Sequence, residues 1–77
     1  MSKNQQLKEL RERLGISQKA VVRDNEEVKY MSLRRLEAGK IDLEYPTKKM
    51  ANVVNTLEEY YTKRETAKMF RKVKGIR

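Results

Sequence analysis

Residues 7–18 read LKELRERLGISQ. Leu7, Leu10 and Leu14 recur at i, i+3 and i+7, while Lys8, Glu9, Glu12 and Arg13 occupy the other directions, so the spacing predicts an amphipathic helix over residues 4–14. Ser2 or Asn4 suits its N-cap, and Gly15 follows where a left-handed residue closes a helix. Ser17 then suits the N-cap of a second, shorter helix through Asp24, with Ala20, Val21 and Val22 turned inward. Its β-branched pair gives it little helicity of its own, so packing must hold it.

Working outward, Asp24-Asn25 reads as a chain reversal, with Asn able to take the left-handed conformation. Glu26 and Glu27 suit the start of a third helix that runs to about Ala38, with Val28, Leu33 and Leu36 inward and Gly39 as its stop. Lys29, Tyr30, Ser32, Arg34 and Arg35 fall on its outer face. Residues 39–46 read as a loop whose Ile41, Leu43 and Tyr45 fold back as a lid on the core. Pro46 and Thr47 open a fourth helix with Met50, Val53, Val54 and Leu57 as its stripe. The helical pattern continues through Tyr60, Tyr61, Arg64, Ala67 and Phe70 without a breaker before Gly75, as one long helix or two.

The class is therefore all-α, with four to five helices. The chain divides into a compact domain over residues 4–58 and a basic extension over residues 59–77, either a helical dimerisation segment or a tail. Residues 62–77 hold seven basic residues and one acid, Glu65. Tyr60, Tyr61, Met69 and Phe70 either return to the chain's own core or cover a second subunit as a homodimer.

At 77 residues there is room for one small domain. Nineteen Lys and Arg against eleven Asp and Glu leave a formal charge of +8, which favours a polyanionic partner, nucleic acid above all. With no Cys and no His, thiol nucleophiles, Ser-His-Asp triads, Cys/His zinc sites and disulfide scaffolds each lack a necessary atom. No metal site, cofactor or enzymatic activity is expected. The apolar runs are too short for a membrane span or a secretory signal, so the expectation is a cytoplasmic protein.

Taken together, LKELRERLGISQ and residues 33–40, LRRLEAGK, resemble the helix-turn-helix family of bacterial and bacteriophage repressors, the lambda repressor/Cro or XRE type. The likeness covers residues 4 to about 58. It implies that the third helix is a recognition helix in the DNA major groove. By position, Ser17 and Gln18 match the start of the family's second helix, where Gln packs on the DNA backbone. Arg11 and Glu37 match a salt bridge joining the first helix to the third. Lys29, Tyr30, Met31 and Ser32, with Arg35 one turn on, match the base-reading set, and Lys40 matches a phosphate contact. The turn before the third helix is one residue longer than the family's and lacks its customary Gly. Glu26 and Glu27 stand beside the expected DNA face, and the loop over residues 39–46 is longer than the family's compact link.

The residues agree without the family. Lys29, Ser32 and Arg35 at i, i+3 and i+6 form a row that can follow one edge of a major groove, and Arg35 suits a bidentate pairing with guanine. The expected function is a sequence-specific, double-stranded-DNA-binding transcriptional regulator, acting as a repressor and as a dimer. The competing expectation is a helix-turn-helix protein that binds another protein, as an antirepressor or antitoxin, through Tyr30, Met31 and the Glu26-Glu27 edge.

Overall fold

A computed structural model describes residues 2–75, with side chains as far as residue 69. Four helices follow in order: α1 (Lys3–Leu14), α2 (Gln18–Asp24), α3 (Tyr30–Glu37) and α4 (Lys48–Gly75). No strand occurs among the described residues. Ser2 caps α1, its hydroxyl accepting from Gln5 N–H at 3.2 Å. Gly15 ends the helix at φ 71°, a conformation that glycine adopts without a Cβ penalty. Ser17 caps α2 by accepting from Ala20 N–H at 3.1 Å.

One core joins all four helices. Leu7 of α1, Val21 of α2, Val28 of the following turn, Leu33 and Leu36 of α3, and Val53, Leu57 and Tyr61 of α4 are all buried. Leu10, Leu14, Ile16, Val22, Met50 and Val54 pack around them, half-buried. α1 lies between α3 and α4 and packs on both, while α2 packs on α3. α4 is one continuous helix of 28 residues, about 42 Å long at 1.5 Å per residue, and so accounts for most of the molecule's 46 Å length.

Several local expectations change. Asn4 is not a cap but a buried residue of α1 whose amide donates to Leu36 O at 2.9 Å and Ile41 O at 2.8 Å. Asn25 is extended, at φ −136°, and its side chain donates to Val21 O at 2.8 Å, satisfying a terminal carbonyl of α2. Glu26 and Glu27 lie in the turn, and α3 begins only at Tyr30 with Lys29 as its N-cap. Val28, in the stretch that helix-start chemistry would assign to a first turn, is instead a buried residue of the turn. In the loop before α4, Ile41 and Leu43 pack on the core, but Tyr45 is 81% exposed and forms no part of a lid. Tyr61 is fully buried in this chain's own core, which removes it from the expected dimer contact; Tyr60 is half-buried, Met69 is exposed, and Phe70 lies outside the described side chains.

Candidate nucleic-acid interface

α3 has two sides with different chemistry. Leu33, Leu36 and Glu37 are buried on one of them. At 100° per residue, Tyr30 and Arg34 form one exposed i, i+4 pair on the other side, and Met31 and Arg35 form a second. The Arg34 guanidinium sits 5.7 Å from the centre of the Tyr30 ring, a cation–π contact that holds both side chains along the helix surface. Lys29 is exposed at the N-terminal end, and Lys40 is exposed just beyond Gly39 at the other. Gly39, at φ 76°, lets Lys40 N–H return to Arg35 O at 3.0 Å. The row Lys29, Ser32 and Arg35 does not form as a solvent-facing edge. Lys29 precedes the helix as its N-cap, and Ser32 is half-buried because it lies beside Leu33 and one turn before Leu36 on the buried side.

The buried side of α3 is locked to α1 and α2 through Glu37. Arg11 Nε donates to Glu37 Oε2 at 2.7 Å and Arg11 Nη2 to Oε1 at 2.9 Å, a bidentate pair. The side chains are 12% and 4% exposed, so the pair is largely shielded from solvent. Arg11 Nη1 also donates to Ile16 O at 2.7 Å, tying the α1–α2 turn to the same guanidinium. The Glu37 hydrogen bond pushes the Arg11 pKa up, against the effect of burial. Gln18 Nε2 donates to Glu37 Oε1 at 2.9 Å. One amide hydrogen of Gln18, a half-buried residue, is thereby engaged by Glu37. Ser17 is exposed beside it, in an open cleft that Lys8, Gln18 and Arg34 also line.

The ion pairs have an uneven distribution. Lys3 with Glu58 and Arg13 with Glu65 tie α1 to α4, and Arg64 with Asp24 ties α4 to α2. At that last site Tyr60 OH donates to Asp24 Oδ2 at 2.6 Å and Arg64 Nη2 donates to the same oxygen at 3.1 Å. The Tyr60 hydrogen bond, with Arg23 and Arg64, lowers the Asp24 pKa. Burial, followed by the Asp24 hydrogen bond, raises that of Tyr60. Lys29, Arg34, Arg35 and Lys40 form no ion pair among the described residues. Neither nearby acid pairs with them among the described residues: Glu27 accepts from Thr56 Oγ1 of α4 at 3.1 Å, and Glu26 forms no ion pair.

Two contributors escape a reading of the sequence. Lys8 lines the cleft beside Arg34, although within the 7–18 stretch it reads only as a polar position of α1. Asn4 fastens the end of α3; its place three residues before Leu7 on the α1 stripe is the available signal, masked by its polarity. Among the described residues no group of three or more acidic, Cys or His side chains is placed to hold a metal ion. None of the described helices is long and apolar enough to cross a membrane. Compared with known proteins, the chain matches no family model, no curated protein and no solved structure.

Proposed function

We propose that this chain is a sequence-specific double-stranded-DNA-binding regulator of the lambda repressor/Cro-like kind, with α2, the turn and α3 serving as its helix-turn-helix. The observation that carries this reading is the outer side of α3, where Lys29, Arg34, Arg35 and Lys40 lie exposed with no carboxylate partner among the described residues, on a helix fixed from behind. An α-helix fits the B-DNA major groove, and unpaired cations around it replace the counterions of the phosphates. Arg35, near the middle of the exposed side, takes guanine O6 and N7 as a bidentate donor. Tyr30 and Met31 meet thymine methyls or sugar. Lys29 and Lys40, at the two ends of α3, take phosphates, with Ser17 and Lys8 on the flanking strand. Arg11, Gln18 and Glu37 hold the helix rather than touch DNA.

Selection of bound duplexes from a random pool tests the proposal. The expected result is an enriched site, palindromic if the chain binds as a dimer, with half-sites about 34–36 Å apart. On that site Arg35→Ala relaxes preference at one base pair, by about 1–3 kcal/mol, while Lys40→Ala weakens every sequence alike. A pool with no enriched sequence overturns it.

A second reading rests on Met31, 56% exposed, beside Tyr30, since Met and aromatic side chains anchor protein interfaces. An antirepressor or antitoxin would use that patch against a protein. A defined protein complex abolished by Met31→Asp, together with no selected DNA, would favour it.

A further inference from the structure

Val53, Leu57 and Tyr61 are the core stripe of α4, and Arg64 and Lys68 continue that stripe at i+7 and i+11 from Leu57. The stripe thus turns from apolar to cationic where the core ends. Arg64 and Lys68 line a groove with Leu14, Ile16 and Ala67, which puts them beside the α1–α2 turn, whose Ile16 directly precedes Ser17. Ser17 itself lines the cleft of Lys8, Gln18 and Arg34. Ile16 of the groove and Ser17 of the cleft are therefore neighbours in the chain. Arg64 is occupied by Asp24 and Tyr60, whereas Lys68 is exposed and forms no ion pair among the described residues. Lys63 lies on a different face of α4, in a hollow with Glu58 and Glu59.

Resting on the reading of α3 as the DNA-seated helix, we infer that Lys68 is a sequence-independent phosphate contact of the same complex. The strand that passes the cleft at Ser17 continues over the α1–α2 turn and reaches the cationic end of the α4 stripe. Leu14, Ile16 and Ala67 give the aliphatic stem of Lys68 an apolar bed, and the ammonium, a compact point charge with no planar geometry to match, suits a phosphate better than a base edge. The contact extends the footprint beyond the bases that α3 reads and adds affinity without adding sequence preference.

The test is the salt dependence of binding by the full chain to the duplex selected by the wild type, and to a scrambled duplex. Lys68→Ala is expected to reduce the slope of log K against log salt by about 0.9 and to weaken binding about fivefold at roughly 0.15 M salt, on both duplexes. Lys68→Arg keeps the slope. Lys63→Ala removes the same charge from the other face and leaves the slope unchanged. An unchanged slope for Lys68→Ala, or equal effects of the two alanine variants, overturns the Lys68 contact while leaving the α3 reading standing. A wild-type chain that binds no duplex overturns both.

Discussion

On the inner side of α3, Glu37 meets two donors from Arg11 and one from Gln18, at 2.7–2.9 Å, within a shielded junction. On the outer side, two residues earlier, Arg35 faces solvent with no carboxylate partner among the described residues. The two charges belong to one turn of helix and contribute in different ways. A charge removed from water is stable only while its partners remain, so Glu37 and Arg11 act on the fold. A charge left in water without a partner contributes little to folding and is free for a polyanion. The +8 total of the chain conceals this division, since paired and unpaired cations count alike in it.

The largest effect is expected at the inner side. Arg11→Ala leaves Glu37 shielded with only Gln18 as its donor, and should lower stability by about 3–5 kcal/mol, read from the urea unfolding midpoint and slope. A loss below about 1 kcal/mol would break the comparison by making the junction no more important than a surface pair. Tyr61 packs into the same interior, fully buried, with no hydrogen-bond partner for its hydroxyl among the described residues. Tyr61→Phe removes an unsatisfied buried group without opening a cavity, so a gain of about 1 kcal/mol is expected at neutral pH.

That hydroxyl also has a pH signature. Burial, reinforced by the negative charge of Glu37, pushes the Tyr61 pKa well above its ordinary value. The unfolded chain ionises this group from about pH 10 upward while the folded chain retains the proton. The wild-type stability should therefore fall more steeply than that of Tyr61→Phe as pH rises past about 10, with parallel behaviour below it. Parallel curves at every pH would place the hydroxyl in solvent. The smallest effect belongs to the outer side: Arg35→Ala should shift stability by no more than about 0.5 kcal/mol. A larger loss would show that the outer side also supports the fold and would erase the distinction.

The parts of the fold that depend on neighbours in sequence were legible. Ser17 and Gly15 act through groups within a few residues, and the leucine stripe of α1 needs only the helical period. The start of α3 was not, because Glu26 and Glu27 satisfy helix-start chemistry locally while burial of Val28 against other helices decides the backbone there. That displacement takes Lys29 off the helix, while Ser32 leaves the outer row because it lies one turn before the buried Leu36. The side of Tyr61 was open for a similar reason: periodicity puts it on the stripe of Leu57, but only the path of α1 across α4 determines whether that stripe is still covered. Lys8 and Lys68 read locally only as solvated charges, since their neighbours across the fold are what set them in the cleft and the groove.

The Asn4 amide spans 32 residues to Leu36 and 37 to Ile41. The last rung of α3 is therefore held by the first turn of α1, and fraying at the beginning of the chain is felt at the end of a helix far along it. Amide protons of Gly39 and Lys40 then exchange with solvent at a rate governed by opening of residues 3–5 as well as by their own bonds to Leu36 and Arg35. The chain's N-terminal turn is in this sense a remote clasp, and shortening it would loosen Lys40 without touching any residue near it in sequence.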